Sequence, residues 1–497
     1  MIVTVIQFLT VSVLSLAVYR RWLHPLAAYP GPFLASISNV WKFYHYMKGN
    51  LHVVEQNLHH QYGPILRTGP NTLSFSDPAA FESIYGFNHG FEKGEFYAFA
   101  RDATTGASNT FSARTHAEHR ELRRQVVGAA LTSSHVHSYR PIVVKHVQHF
   151  ISKLCAEIPT SGKGNGVVDI AKPIHALTFN TLAETIYGPA LSSEPWSETP
   201  RGAGILEAFR ALSKFSWGCS YIPFLSWLMS TGPMIRMTRK PTFSAAGLPT
   251  GIAALVSRTQ FLLLDEPNMV LMANQPSIAK NMLTLEKGVS RYNDSDAVWR
   301  ECFNLLFAGP GSTAAAVTGV LERLGTEEGK EWQQKIRDEL GQVNHHSDSK
   351  VLSAVIRESL RFSAPFPTAF PREVHLGAEK AIPGLNKPLP LGTLVSANSW
   401  IVSHDERTWG RDAGSWKPER WLHTEDNAGK RSMDDNLLVF SKGPRGCIGK
   451  EIAMTIVTEA VAGVVAKWRI EKVGQMKSGG WLEMQIGWCG MHFTSID

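Results

Sequence analysis

Apolar residues recur every three or four positions over long parts of this sequence, and that spacing is typical of α-helices with one buried face. It is clearest in Ala117–Ala130, Tyr139–Ile158 and Ala297–Gly325. The pattern extends, with interruptions, from about His116 to Asp348. We therefore expect the middle of the chain to be mostly helical.

Strand-like runs are few. Alternating or β-branched residues indicate strands in Ile65–Phe75, Gly392–Ala397 and Met484–Phe493. A chain of 497 residues is long enough for two or three domains, but it has no internal repeat and no second break in composition. The pattern predicts one large, mainly α domain with a minor β-sheet over residues 35–497.

The first residues follow a different pattern. Ile2–Tyr19 is apolar apart from isolated Thr, Ser and Gln residues, and its length is near the minimum for crossing a bilayer. Arg20 and Arg21 follow it, and no small-residue cleavage motif is evident. We expect residues 1–19 to be a transmembrane signal anchor that leaves the rest of the chain on the cytoplasmic side. A cleaved signal peptide and a buried core helix are the alternatives.

Prolines dominate the next stretch. Pro25, Pro30 and Pro32 fix the backbone and favour an extended, stiff conformation. We interpret residues 20–34 as a linker that works as a hinge between the anchor and the globular domain.

The net charge and the cysteine content limit the classes of binding partner and the type of cellular compartment. The formal net charge of +7 is compatible with nucleic acid, an anionic membrane or an acidic protein partner. The sequence has no nucleic-acid motif and no concentrated basic tract, which favours the last two. Its five cysteines include no C-x-x-C pair, which argues against a disulfide scaffold or a zinc site and is compatible with a reducing compartment.

The strongest chemical motif lies near the C-terminus, where Phe440, Gly443, Arg445, Cys447 and Gly449 are closely spaced and a helical pattern follows directly. A helix N-terminus and nearby cations favour a thiolate. Glycines allow a flat ligand to approach the backbone, and an arginine can pair with an acidic group on that ligand. A buried free cysteine in a glycine-rich turn is the alternative.

This spacing, F-x-x-G-x-R-x-C-x-G, resembles the haem-binding loop of the cytochrome P450 superfamily. The resemblance implies a single α-rich haem domain in which Cys447 is the axial ligand of haem b iron, where a thiolate favours O–O cleavage. The run W-L-H-P-L-A-A-Y-P-G-P-F at residues 22–33 resembles the linker of fungal microsomal members. That likeness implies a fungal source and the endoplasmic reticulum membrane.

Two further motifs fit the same family. Glu358 and Arg361 form E-x-x-R on one helix face, and Pro418–Trp421 resembles the family's P-E-R-F segment. The resemblance implies that Glu358, Arg361 and Arg420 form a buried structural cluster of three charges. The alternative is a solvated helix pair and a surface loop.

Haem carries two propionates that need cations. Arg445 is the first candidate, and the resemblance adds Arg372, in the run F-P-R-E. His119 and Arg123 resemble the family's W-x-x-x-R helix, with His in place of Trp. For these two residues a basic surface face is the alternative.

The run A-G-P-G-S-T at residues 308–313 resembles the family's distal motif A-G-x-D/E-T-T. A small residue at Gly309 lets the helix pass close to the haem, and the Ser312 hydroxyl, followed by Thr313, can hold a relay water. Gly311 stands where the family has an acid. We expect Pro310 and the glycines to kink the helix and free its carbonyls.

We therefore expect oxygen activation through a proton relay that has no acidic side chain at position 311. This departure leaves room for epoxidation, multistep oxidation or rearrangement. The alternative is a break in a plain core helix.

Family likeness places substrate contacts in four segments that are rich in Phe, Trp, Leu and Pro, which suggests a lipophilic substrate. They are Phe96–Phe111, Phe209–Met237, Ser363–Phe370 and Gly487–Gly490. Each segment also fits a plain hydrophobic core.

Four cations would lie near the cysteine side of the haem and could dock an acidic reductase. They are Arg120, Arg124, Lys442 and Lys450. An ordinary charged surface is the alternative.

The resemblance implies a membrane-bound monooxygenase that inserts one oxygen atom from O2 into a lipophilic small molecule, such as a terpenoid or polyketide-type secondary metabolite. Electrons would come from NADPH through a separate reductase, because the chain shows no dinucleotide-binding or flavin-binding motif. A haem-thiolate isomerase or peroxygenase that needs no reductase, and a non-catalytic haem-binding protein, are the alternatives.

Overall fold

The computed structural model describes residues 1–87, 90–101, 105–158, 166–191, 195–200, 202, 204–229, 242–243, 249–284, 295–378, 382–422 and 433–496. Within these residues helices predominate, and the strands form small sheets. The predicted mainly α fold with a minor β component is confirmed.

The α-helices are numbered here in chain order. They are α1 (Ile2–Val18), α2 (Phe33–Ile37), α3 (Val40–Met47), α4 (Leu51–Tyr62), α5 (Pro78–Tyr85), α6 (His116–Ala130), α7 (Ser133–Glu157), α8 (Ala171–Tyr187), α9 (Ile205–Ser220), α10 (Pro223–Met229), α11 (Gly251–Gln260), α12 (Pro267–Leu271), α13 (Ile278–Leu283), α14 (Ser295–Leu324), α15 (Lys330–Leu340), α16 (Lys350–Phe362), α17 (Ser399–Ser403), α18 (Glu406–Trp409) and α19 (Lys450–Lys467).

The strands are β1 (Ile65–Gly69), β2 (Thr72–Phe75), β3 (Phe91–Glu92), β4 (Val167–Asp169), β5 (Thr242–Phe243), β6 (Pro249–Thr250), β7 (Arg372–Val374), β8 (Leu394–Ala397), β9 (Trp468–Gly480) and β10 (Met484–Ser495). One sheet has the order β1-β2-β8-β7-β3, with β2 and β8 parallel and its other pairs antiparallel. A second has the order β4-β10-β9, and β5 pairs with β6.

The main core surrounds α14. Helices α6, α7, α8, α14, α16 and α19 contribute buried apolar side chains to one large cluster. Helix α14 packs along α8 and also against α16, α19 and β10. The middle of α14, which contains its A-G-P-G-S-T run, is therefore held in place on several sides.

Local sequence explains why the helices next to the site begin where they do. The Thr115 side chain accepts a hydrogen bond from the backbone N–H of Glu118 and caps α6. Ser349 caps α16 in the same way through the N–H of Leu352. Helix α19 begins at Lys450, directly after Gly449. The start of α6 agrees with the helix predicted from apolar spacing at Ala117–Ala130.

The N-terminal helix lies apart from the core. Helical structure runs from Ile2 to Leu23, long and apolar enough to cross a membrane, and its most apolar part has no buried residue. The linker expected as a hinge instead packs on the domain: Leu26 is fully buried, and the backbone N–H of Arg67 donates a 2.7 Å hydrogen bond to the Pro30 carbonyl. Proline stiffness and these contacts together fix the course of the linker.

The sequence pattern missed one large feature. Strand β9 pairs with β10 along most of its length, yet the prediction contained only the second strand. Most side chains between Glu471 and Gly479 are at least partly exposed, so β9 lacks a marked apolar alternation. A strand that is stabilised mainly by its pairing partner leaves little trace in its own sequence.

Candidate active site

The cysteine loop is a tight turn ahead of α19. The backbone N–H of Cys447 donates a 2.9 Å hydrogen bond to the carbonyl of Phe440. Gly443 has φ +63°, and a Cβ atom there would overlap the backbone carbonyl of Tyr85. Only glycine fits this position. Gly449 has open space around the equivalent atom, with no described residue within 4 Å.

Cys447 borders an internal space. Its side chain is exposed to a water-sized probe, yet burial within the protein raises the pKa of its thiol. The backbone N–H groups of Gly449 and Lys450 and the cation of Arg123 act in the opposite direction on that pKa. A bound metal cation would complete the change to thiolate.

Cationic side chains gather beside this space. Arg123 donates a 2.7 Å hydrogen bond to the carbonyl of Gly446, next to Cys447. Arg445 donates to the carbonyls of Arg114, at 2.7 Å, and Thr115, at 3.1 Å. Arg372, only 4% exposed, donates to the Tyr97 hydroxyl at 3.0 Å.

Lys93 joins these arginines, although the sequence analysis did not single it out. It is buried, and its Nζ atom donates to the carbonyl of Phe111 and lies 4.4 Å from the ring centroid of Tyr97. Burial, and then the charges of Arg372 and Arg445, move the pKa of Lys93 well below its usual value.

His119 lies within the same group and is buried. Burial lowers its pKa to about 2, with further lowering by Arg445, Lys93, Arg123 and Arg372. Its imidazole is therefore neutral and can donate one hydrogen bond without adding to the positive charge. His119, Arg123, Arg372 and Arg445, four of the residues predicted from the sequence, are thus brought together in space.

No carboxylate of the described residues is paired with the cationic cluster. Among the described residues, none of Lys93, His119, Arg123, Arg372 and Arg445 forms an ion pair with a carboxylate, and their partners are mainly backbone carbonyls. The more distant Glu92 and Glu118 act on the pKa of Arg445 only through space. Buried cations without counter-charges are costly. The arrangement fits a ligand with acidic groups.

Helix α14 is the next element of the candidate site. Ala308 is exposed although it lies in the middle of a mostly buried helix, so it faces internal space. A Cβ atom on Gly309 would lie 2.6 Å from Cδ1 of Leu182, so this glycine permits the close packing of α8 against α14. Gly309 thus serves helix packing in the structure.

The expected opening of α14 is not found. The helix is continuous from Ser295 to Leu324 with Pro310 inside it. The Ser312 hydroxyl donates to the carbonyls of Ala308, at 3.0 Å, and Gly309, at 3.1 Å, and Thr178 donates to the carbonyl of Pro310 at 2.9 Å. These two side chains bind three carbonyl groups in the segment that the sequence analysis expected to open. Thr313 is buried, only 2% exposed.

The charged cluster predicted from E-x-x-R and P-E-R-W lies in the interior. Glu358 and Arg361 are fully buried, and Arg361 donates two hydrogen bonds to the carboxylate, at 3.0 and 2.7 Å. Arg420 donates a third, at 3.0 Å, and the indole of Trp421 a fourth, at 2.9 Å. This cluster joins α16 to the segment ahead of the cysteine loop.

Aromatic residues from three of the four predicted substrate segments meet. The rings of Phe96, Phe99, Phe111 and Phe370 all contact the ring of Trp217, with centroids 4.9 to 6.4 Å apart. Phe307 of α14 packs against the same cluster. Residues 102–104 and 230–237 of the predicted segments lie outside the described residues.

The fourth segment was expected to be a loop, and the structure shows that it is not one. Gly487–Gly490 is part of strand β10, where pairing with β9 shifts register around Trp488, and Cys489 is buried. The turn between the two strands is at Trp481–Glu483 instead. Glycines in a paired strand with register shifts look like a loop in the sequence.

The predicted docking cations differ in their surroundings. Lys442 forms a 2.8 Å ion pair with Glu82, and Arg124 pairs with Glu121 at 3.0 Å. Arg120 and Lys450 are exposed.

Comparisons with known proteins agree on one family. The sequence model of the cytochrome P450 family matches residues 30–478. Cytochrome P450 monooxygenase cicH of Emericella nidulans is 27% identical over 486 residues, which cover 95% of this chain and 93% of the relative. Cytochrome P450 monooxygenase gsfF of Penicillium aethiopicum is 26% identical, with 93% and 91% covered. Cytochrome P450 monooxygenase AKT7 of Alternaria alternata is 24% identical, with 96% and 90% covered.

Proposed function

Because this chain belongs to the cytochrome P450 family, a family of haem-dependent oxidoreductases, we propose that Cys447 binds the haem iron and that the protein oxygenates a lipophilic small molecule. The cationic cluster beside Cys447 is the observation that carries this proposal. Two propionates would supply the negative charge that the cluster lacks.

The residues fit haem in other respects. Cys447 offers a soft ligand at the edge of an internal space, and Gly443 makes the tight turn ahead of it. Ala308 presents only a methyl group from α14. Lys93, Arg372 and Arg445 would bind propionates, with a neutral His119 as a further donor. Bound through a thiolate, haem would supply oxygen activation.

The chain's own groups have separate tasks. Arg123 and the N–H groups at the start of α19 stabilise negative charge on the Cys447 sulfur. The Ser312 hydroxyl, bonded to its own helix, can rotate to hold a water and pass a proton. The aromatic cluster around Trp217 excludes bulk water and binds apolar substrate.

An apolar substrate is supported by a second feature. A cavity of about 710 Å³ opens near the linker, and its lining includes Arg20, Phe96, Tyr221, Trp227 and Leu394. Phe224 and Trp227 of α10 are exposed beside it. A mouth near the membrane anchor suits a substrate that partitions into lipid. A terpenoid or polyketide-type secondary metabolite belongs to this class.

We place the protein in the endoplasmic reticulum membrane, with residues 1–19 as the anchor, residues 20–34 as the linker and residues 35–497 as the catalytic domain facing the cytosol. Electrons would come from NADPH through a separate cytochrome P450 reductase. Arg120 and Lys450, which are exposed, would contribute to docking it.

The test is a carbon monoxide difference spectrum of the reduced full-length protein, with Cys447→Ala alongside. A red-shifted thiolate-type Soret band that disappears in the variant is the expected result. A shorter-wavelength, histidine-type band in both proteins, or no haem in well-expressed protein, would overturn the assignment of Cys447. Turnover with peroxide that is unaffected by reductase would favour a peroxygenase instead.

A further inference from the structure

A carboxyl group lies against α14 at the position where the sequence has no acid. A Cβ atom built on Gly311 would lie 3.2 Å from Cγ and Oε1 and 3.3 Å from Cδ of Glu483. Glu483 is in the turn between β9 and β10, far along the chain. The side-chain space beside Gly311 is therefore filled by an acid from another element.

Glu483 is held firmly in that place. It is 8% exposed, and its Oε2 atom accepts a 2.6 Å hydrogen bond from the Ser213 hydroxyl of α9. Its Oε1 atom accepts a 3.0 Å bond from the Gln485 side chain, which also donates to the Arg210 carbonyl at 2.9 Å. The carboxyl group is thus oriented by two different elements.

A small polar cavity adjoins the carboxyl group. Its volume is about 20 Å³, and its lining includes Gly311 and Ala314 of α14, His175 of α8, Arg210 of α9 and Glu483. A space of this size with several polar neighbours suits a single water molecule. Gly311 directly precedes Ser312 in α14, although Ser312 itself does not line the cavity. A water held there would be the link between the Glu483 carboxyl group and the Ser312 hydroxyl.

We propose that Glu483 supplies the protons for the Ser312 relay, replacing in space the acid that position 311 lacks. This inference rests on the proposed function. Glu483 acts through water and the Ser312 hydroxyl rather than by touching substrate, so it is a positioning and proton-supplying residue.

The proton step balances without another reactant. The Glu483 O–H bond breaks, its proton moves to a water, and that water passes a proton on through Ser312. Solvent water returns a proton to the carboxylate. Burial raises the pKa of Glu483, which favours the protonated donor form, while the hydrogen bonds from Ser213 and Gln485 and then the charge of Arg210 lower that pKa by less. His175 and Tyr46 are the other titratable groups coupled to this site.

The first test detects the protonated carboxyl group of Glu483 by infrared spectroscopy and does not depend on enzyme turnover. Carbon monoxide is bound to the reduced full-length holoprotein, and infrared difference spectra are recorded before and after its photolysis. We expect a protonated-carboxyl band that responds to carbon monoxide release, shifts in D2O and is missing in Glu483→Gln. Glu322→Gln is the matched control, because Glu322 is another buried acid joining α14 to β9, through Lys472.

The second test follows the fate of electrons with NADPH, reductase and no added substrate. Oxygen takes either two electrons and two protons to give hydrogen peroxide or four of each to give water. Poor proton supply should favour peroxide. We define the peroxide share as the fraction of consumed oxygen that is released as hydrogen peroxide. We expect Glu483→Gln to raise the peroxide share several-fold and Glu322→Gln to stay close to wild type.

A transplant separates proton supply from structural support. The double variant Gly311→Asp, Glu483→Ala removes the atoms that would crowd a Cβ at position 311 and puts a carboxyl group on α14 itself. We expect it to restore a low peroxide share, whereas Glu483→Ala alone should not.

The outcomes are distinct. If the wild-type protein shows no carboxyl band that responds to carbon monoxide release, and Glu483→Gln leaves the electron partition unchanged, the role of Glu483 is overturned. Failure of the double variant to improve on Glu483→Ala would reduce Glu483 to a structural residue. Loss of the thiolate-type Soret band in wild-type protein would instead contradict the proposed function.

Discussion

Arg420 lies 62 positions after Glu358 in the chain, and its Nε atom donates a 3.0 Å hydrogen bond to Oε1 of that carboxylate. Arg361 occupies the other side of the same carboxylate. Glu358 is fully buried, so one negative charge serves two cations in the interior. The contact joins α16 to the segment that leads into the cysteine loop.

Glu358→Gln should therefore be strongly destabilising. The variant keeps the size of the side chain but leaves Arg361 without its counter-charge and Arg420 with the more distant Asp412, 3.5 Å away. Breaking a buried pair in this way costs about 3–5 kcal/mol. Urea unfolding of the full-length protein measures the free-energy change, and Soret absorbance per protein should fall with it.

Glu331→Gln is the control for that measurement. Glu331 is 73% exposed and pairs with Lys335 at 2.6 Å on one helix face. Its loss should cost about 0–1 kcal/mol. Equal losses in the free energy of unfolding would mean that the interior cluster contributes no more to stability than an exposed ion pair.

Replacement by alanine should be damaging at one glycine of the cysteine loop and nearly neutral at another. Gly443→Ala combines a left-handed backbone with an overlap on the Tyr85 carbonyl, so the loop must shift and haem content should fall sharply. Gly449→Ala meets no described residue within 4 Å, so stability should change by about 0.5 kcal/mol or less.

Thermal unfolding and Soret absorbance of both variants test this contrast. A stable Gly449→Ala protein with reduced haem would show that haem itself occupies the open space beside Gly449. Normal haem content in Gly443→Ala would contradict the loop geometry.

Local patterns explain why part of the site was predictable. The cysteine loop and the E-x-x-R pair are short runs whose spacing carries the chemistry, so Cys447 and Glu358 could be named from the sequence. Lys93 and Glu483 could not, because each is one charged residue in an unremarkable segment. Only the packing of Lys93 against Arg372 and of Glu483 against Gly311 gives them a role.

The fold, like the site, was predictable from the sequence only in part. Helices such as α6 and α14 bury one face, so their apolar spacing predicted their bounds within a few residues. The continuity of α14 through Pro310 could not be predicted from local propensity, because α14 is held by packing against α8, α16, α19 and β10. Contacts with other elements, rather than local helix propensity, therefore determine the structure of α14 at Pro310.

The cationic cluster should make the haem-free protein sensitive to acid through His119. Its pKa is about 2 when folded and 6.5 when unfolded, so the unfolded chain binds the extra proton between these values. Stability from this group is present above pH 6.5 and decreases as the pH falls, by up to about 1.4 kcal/mol per pH unit.

His119→Gln removes that titration. Between pH 7 and pH 5 the haem-free variant should lose about 2 kcal/mol less stability than wild type in urea unfolding. Haem should reduce the wild-type slope as well, because propionates offset the neighbouring cations. His52→Gln is the control: burial lowers the pKa of His52 to about 4, but its ring packs on Trp400, and haem should leave its contribution unchanged. A slope in His119→Gln equal to wild type would contradict the buried, neutral state of His119.

The last prediction distinguishes two neighbouring hydroxyl groups on α14. Ser312 bonds only to carbonyls of its own helix, whereas Thr313 is 2% exposed and packed in the core. A relay group must be able to rotate towards water, which favours Ser312. With NADPH and reductase, Ser312→Ala should raise the peroxide share several-fold while the carbon monoxide band stays normal, and Ser312→Thr should resemble wild type.

Thr313→Val should keep the wild-type electron partition and cost about 1 kcal/mol or less in stability, because a methyl group replaces a buried hydroxyl of similar size. If Thr313→Val instead releases peroxide and Ser312→Ala does not, the relay hydroxyl belongs to Thr313. The helix would then have to turn or open at Pro310 during turnover, because the buried Thr313 side chain cannot reach a relay water from its present position.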